Sequence, residues 1–112
     1  MAVVNQYKFY GVTLTTTAET TMFGASSPSA TETYIIKSFR VTNNTGNTPT
    51  ITIKNNTFAI ENTKTLSANA SVEILTLPLI VEGSTLLKVT MSSSDSVTIG
   101  ISYLNIKKEV TT

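Results

Sequence analysis

The side chains able to do chemistry in this 112-residue chain are carboxylates, hydroxyls and lysines, because histidine, cysteine and tryptophan are absent. Its seven acids are Glu19, Glu32, Glu61, Glu73, Glu82, Asp95 and Glu109. A glycosidase-like pair needs two carboxylates held about 5–9.5 Å apart across a cleft. Each acid here instead falls in or beside a turn, or at an outward strand position, where charge serves solubility. A serine nucleophile would need a base, and without histidine that base must be a desolvated lysine. No Gly-x-Ser-x-Gly elbow and no Ser-x-x-Lys motif is present. The five glycines form no phosphate-binding cluster. A calcium site would need several carboxylates in one loop, and Asp95 is the single aspartate of the chain. The expectation is a protein without catalytic residues, cofactor or metal.

Aromatic residues are the remaining candidates for contact with a partner. Tyr7, Phe9 and Tyr10 lie close together near the N-terminus, and Met22 and Phe23 open a loop-like stretch. Either group can anchor a partner, although aromatics of a small β domain more often close one end of its core. Tyr7, Tyr10, Tyr34 and Tyr103 are candidates for stacking on sugars.

The elements that must position these residues are strands. Threonine supplies 22 of 112 residues, and a β-branched side chain with a hydroxyl suits a pleated surface. Period-2 patterns predict a strand over 7–14, with Gly11 at a bulge or close approach, and a short strand over 19–24. Residues 25–30, small and polar around Pro28, read as a loop. A strong strand follows over 32–43, in which Lys37, Phe39 and Val41 alternate with Ser38, Arg40 and Thr42. Asn43 to Pro49, with Gly46 among asparagines, reads as a hairpin turn. Residues 50–54 place Ile51 and Ile53 inward, and Phe58 and Ile60 continue on a short strand. Further strands are predicted over 70–77, with a bend around Pro78, over 85–92 with Leu87, Val89 and Met91 inward, and over 97–106 with Val97, Ile99, Ile101 and Tyr103 inward. About eight short strands without helical period predict an all-β, two-sheet antiparallel β-sandwich of jelly-roll or immunoglobulin-like type. At this length residues 1–112 are expected to form one domain with short flexible termini.

Composition narrows the partners. Charged residues are 13% of the chain, against about 25% ordinarily, and the net charge is +1. Thr, Ser and Asn must therefore cover much of the surface, and such a surface repels its own copies weakly. Threonines such as Thr42, Thr50, Thr52, Thr90 and Thr98 are expected to face outward and to supply the contact surface. The basic residues are scattered, which argues against nucleic acid, and the adjacent Lys107 and Lys108 read as a solvated tail. No apolar run approaches the roughly 20 residues of a membrane span, and Met1 to Gln6 do not resemble a secretory signal. The chain is expected to be soluble and made in a cytoplasm.

The pattern Gly11-Val12-Thr13-Leu14-Thr15-Thr16-Thr17 with Glu19-Thr20, then Ile36-Lys37-Ser38-Phe39-Arg40-Val41-Thr42-Asn43 before Gly46 and Ile51-Thr52-Ile53, resembles small all-β virion proteins of tailed bacteriophages, especially marine and cyanobacterial ones. Leu66-Ser67-Ala68-Asn69-Ala70-Ser71-Val72-Glu73, Glu82-Gly83-Ser84 leading into Leu87-Lys88-Val89-Thr90, and Ile101-Ser102-Tyr103-Leu104-Asn105-Ile106 continue the resemblance over most of the chain. Two departures are the loop-like residues 24–30 and Gly83-Ser84 where Gly-Asp is expected. The resemblance implies a viral structural protein located in the virion, a capsid decoration or cement protein. Its implied partners are copies of itself in a homo-oligomer such as a trimer, and other virion proteins such as the major capsid protein, with no nucleic acid and no membrane. A neck, tail or baseplate component is the alternative, and a carbohydrate-binding adhesive module is a further one.

Overall fold

The computed structural model describes residues 2–23 and 28–109. Among the described residues nine strands are formed: β1 (Ala2–Leu14), β2 (Thr20–Thr21), β3 (Glu32–Asn43), β4 (Thr50–Asn55), β5 (Phe58–Thr65), β6 (Ser71–Glu73), β7 (Leu79–Val81), β8 (Leu87–Met91) and β9 (Val97–Glu109). They make two antiparallel sheets. The larger runs β1-β9-β3-β6, with β7 pairing β3 beyond β6; the smaller runs β2-β8-β4-β5. Because β6 and β7 occupy one lane beside β3, the sandwich has four lanes in each sheet.

This order settles the topology. The chain changes sheet between β1 and β2, β2 and β3, β3 and β4, β5 and β6, β7 and β8, and β8 and β9. That is the wrapped wiring of a jelly roll, in which the last strand, β9, lies between the first strand, β1, at the sheet edge and β3. An immunoglobulin-like sandwich would pair several consecutive strands as hairpins. The turn Asn43–Pro49 is accordingly an inter-sheet crossing and not the hairpin that its composition suggests. Asn43, almost fully buried, shapes it: its Nδ2 donates to the carbonyls of Asn47 (2.7 Å) and Ser67 (3.1 Å), and its Oδ1 accepts from the Thr45 amide (3.0 Å).

The inner faces follow the alternation of the sequence. Val97, Ile99 and Ile101 of β9, Ile51 and Ile53 of β4, and Leu87 and Val89 of β8 are all fully excluded from solvent. Each such side chain contributes roughly 1.5–3 kcal/mol by leaving water. On β3 the phase changes midway: Tyr34 and Ile36 are buried, and so are Phe39 and Val41, while Lys37 is exposed. A β-bulge between Ile36 and Ser38 makes Lys37 an extra residue against β9. Lys37 therefore leaves the side of Phe39 and Val41 on which simple alternation places it, and its ammonium stays in water.

Several ends differ from the sequence expectation. β1 starts at Ala2 and β9 continues to Glu109, because the two strands pair one for one over their whole length. Lys107 and Lys108 thus belong to a strand, not to a tail. The expected strand over 19–24 shrinks to Thr20–Thr21, and that over 70–77 to Ser71–Glu73. Pro78 lies in the gap before β7, where its lack of a donor disturbs no ladder. The loop expected over 25–30 is described from Pro28 onward; residues 24–27 and the terminal residues 1 and 110–112 lie outside the described residues.

Candidate interaction surface

The candidate contact residues divide between core and surface. Met22 is fully buried and its amide donates to the Leu87 carbonyl at 2.7 Å, so its side chain has no surface to offer a partner. Phe23 is half-buried, with its ring centroid 5.1 Å from Tyr10, 4.8 Å from Tyr34 and 4.7 Å from Tyr103. It reaches this position with φ at 65°, an unusual backbone conformation for a bulky residue. These four rings close one end of the sandwich between the sheets. Burial raises the Tyr103 hydroxyl above its usual pKa, with Tyr34, Glu32 and Tyr10 adding to the shift. Tyr34 and Tyr103 are buried and Tyr10 is partly so, which leaves Tyr7 as the fully available tyrosine for any sugar.

Tyr7 and Phe9 are exposed at 79% and 70% and stand on the outer face of the large sheet. Phe9 has a local role there, because its ring lies over the directly opposed pair Gly11 and Gly100. A Cβ on Gly100 would meet that ring at 3.2 Å. The aromatic ring thus covers backbone that the glycines leave bare, a device that stabilises glycine positions in sheets. Beside it runs a shallow groove lined by Phe9, Ser38, Arg40, Thr42, Thr98, Gly100 and Ser102.

Tyr7 belongs to a longer feature. It is opposite Leu104, Leu104 is opposite Ile35, and Ile35 is opposite Ile80. One cross-strand row of large apolar residues therefore spans the outer face from β1 through β9 and β3 to β7. Ile80 is 54% exposed. It also lines a groove with Phe58 and Asn55 at the rim of the small sheet, and Phe58 is 73% exposed. In the next row, Ile106 stands between Asn5 and Thr33. An outer sheet face in water normally carries polar residues, so this patch is the feature of the surface that calls for a partner.

Sequence reasoning missed Leu104, Ile35 and Ile80, although a signal existed. Tyr34-Ile35-Ile36 and Leu79-Ile80-Val81 are runs of three apolar residues on single strands. Successive side chains alternate faces, so each run must turn one apolar residue away from the core. The threonines behave differently from the expected contact surface. Thr42, Thr50, Thr52, Thr90 and Thr98 face outward but are half-buried. Several of their hydroxyls are engaged: Thr98 Oγ1 lies 3.3 Å from Thr13 Oγ1 and accepts from Asn44 Nδ2 (2.9 Å), and Thr52 Oγ1 accepts from the Thr63 amide (3.0 Å). Their work is cross-strand support.

The acids are bound within the fold. Glu73 accepts from the Ser38 hydroxyl, the Phe39 amide (2.7 Å) and the Leu75 amide (3.3 Å). Burial raises its pKa, but these bonds and the nearby Arg40 outweigh that and hold it below the usual range. Glu32 accepts from the Ser29 amide (3.0 Å) and from Asn105 Nδ2 (2.9 Å). The Ser29 bond is the main cause of its lowered pKa; burial opposes it, and Asn105 and Lys107 assist. Asp95 is lowered by its bonds from Ser93 (2.6 Å) and Asn47 (2.8 Å). Among the described residues no group of three His, Cys, Asp or Glu side chains is placed to hold a metal ion.

No protein-family model matches the chain, and no curated protein does. A solved structure has a similar fold. It is a protein described under "Bacillus endospore appendages form a novel family of disulfide-linked pili", with a TM-score of 0.52 and 12% sequence identity, covering 96% of this chain and 89% of that one. At that identity the likeness concerns the two-sheet β architecture alone.

Proposed function

We propose that the chain is a non-enzymatic structural subunit whose work is to bind other subunits through the outer face of its large sheet, and that its setting is a phage virion, as a decoration or cement protein on the capsid. The row Tyr7–Leu104–Ile35–Ile80 carries this reading. A contact centred on aromatic and aliphatic anchors with a polar rim is the usual composition of a protein interface. Here threonines and serines of the same face form the rim. The jelly-roll wiring suits the setting, since capsid domains are among its common uses, and the resemblance in sequence points the same way.

The test is binding to purified capsids that lack the protein, compared for the natural chain and an Ile80→Asp, Leu104→Lys double variant. Retained melting temperature with lost binding is expected. Capsid binding by the double variant at unchanged affinity would move the contact elsewhere, and a protein present in only a handful of copies per particle would move it to the neck or tail.

A fibre subunit is a second reading, favoured by the shared architecture with the Bacillus appendage protein. This chain carries no cysteine, so any fibre it built would lack disulfide links. Electron microscopy of the purified chain distinguishes the two by the presence or absence of filaments.

A further inference from the structure

The edges of the two sheets are unequal. β2 is two residues long. β5 pairs β4 with irregularities between Ile51 and Ile53 and between Ile53 and Lys54. β6 and β7 have three residues each, with Pro78 between them. Shortness, bulges and proline are the means by which sheets discourage pairing with another chain.

β1 has none of these. It is 13 residues long, contains no proline, carries Lys8 as its one charged residue, and pairs β9 without a register break. Its other edge is bare among the described residues. Among the described residues β9 is the only strand that pairs it, and no backbone hydrogen bond reaches it from a turn or loop. Asn5 to Phe9, Gly11 and Thr13 are exposed.

We propose that β1 is the seat of a two-fold antiparallel dimer, in which β1 of a second copy adds to it and joins the two large sheets into one. A second copy satisfies both bare edges at once and closes the assembly, whereas a foreign strand would leave its own far edge unpaired. The net charge of +1 opposes the approach of two copies little. Antiparallel pairing also brings Tyr7 and Phe9, which project from the outer face beside the edge, next to the same residues of the second copy, and cross-strand aromatic pairs stabilise such contacts. The apolar row then continues across the junction. The edge and the outer face can be engaged separately, so this dimer does not depend on the capsid setting.

The test begins with the molar mass of the full chain by sedimentation over a range of concentrations, where a reversible dimer is expected. Adjacent strand residues send their amides to opposite sides, so of Asn5→Pro and Gln6→Pro one removes a bond to β9 and the other a donor from the free edge. The second should weaken dimerisation by about thirtyfold, two bonds being lost by symmetry, with the melting temperature of dilute protein unchanged. Because the chain has no cysteine, single cysteines at Asn5, Gln6, Tyr7, Lys8, Phe9 and Thr13 map the contact. Disulfide yield should peak at one residue, the one on the two-fold axis, and fall on both sides of it. A chain that stays monomeric up to its solubility limit overturns the proposal. So does a dimer in which these cysteines stay unlinked while cysteines at Ile80 and Leu104 link, a result that would leave the outer-face contact standing.

Discussion

The Glu73 carboxylate serves the β3 bulge, where the extra residue Lys37 disturbs the ladder and the Phe39 amide finds its acceptor at Glu73. Glu73→Ala leaves that amide, the Leu75 amide and the Ser38 hydroxyl without this acceptor. The expected loss is about 1–2 kcal/mol, at the low end for three bonds because water reaches the site; chemical denaturation measures it. Glu32, Glu73 and Asp95 are all held below their ordinary pKa values. The unfolded chain takes up protons first as pH falls, so the stability these groups supply is complete above about pH 5 and is lost as pH drops through their folded values. Thermal melts should therefore fall from pH 7 to pH 3, and Glu73→Gln should lower the pH 7 value while making the decline shallower. Gly83 acts by close approach: a Cβ there would lie 2.7 Å from the Ser29 carbonyl oxygen and 2.8 Å from that of Ala30. Gly83→Ala is expected to cost roughly 1–3 kcal/mol, seen as a lower melting temperature with unchanged β-sheet circular dichroism.

Among the elements, β3 holds the clearest contrast between local pattern and observed phase. Its range Glu32–Asn43 is legible from the sequence, and so is the burial of Phe39 and Val41. The bulge is not, because it is defined by the register against β9, a strand more than fifty residues away in sequence. Without Lys37, residues 34–41 would alternate without a break, with Tyr34, Ile36, Phe39 and Val41 on one side. Deletion of Lys37 is accordingly expected to leave a folded chain, with a loss smaller than the roughly 3–5 kcal/mol of Phe39→Ala. An alanine inserted after Ile99, which turns Ile101 and Tyr103 to the outside, is expected to prevent folding. Equilibrium urea titrations of the three variants rank them. A deletion variant less stable than Phe39→Ala would mean that the bulge is required by the fold.

At the scale of the molecule, a body of 54 × 21 × 20 Å carries its apolar row across one broad face. With four lanes about 4.8 Å apart in each sheet, the long dimension must follow the strands. Thirteen residues of β1 extend over roughly 44 Å of it, so an edge contact at β1 would run along most of the body. Contacts made by apolar side chains and strand hydrogen bonds should resist salt, since they do not depend on opposed surface charges. Light scattering should show self-association that persists or strengthens from low to high sodium chloride. Dissociation by salt would instead point to the charged residues, of which the described surface offers one ion pair, Lys88 with Glu19 at 3.7 Å.

The sequence by itself determines the strand class, most of the inward residues and the lack of histidine and cysteine chemistry, because alternation along a strand and residue type are local properties. Val97, Ile99 and Ile101 needed no knowledge of their neighbours to be assigned to a core. The tertiary structure decides which strands pair, hence the jelly-roll order over the immunoglobulin-like one, and that the Asn43–Pro49 turn crosses between sheets. It also decides that Leu104, Ile35 and Ile80 share one row with Tyr7, while Phe23 and Met22 turn inward. Each of these depends on register between strands distant in sequence, and cross-strand register follows from how two whole sheets bury their faces together.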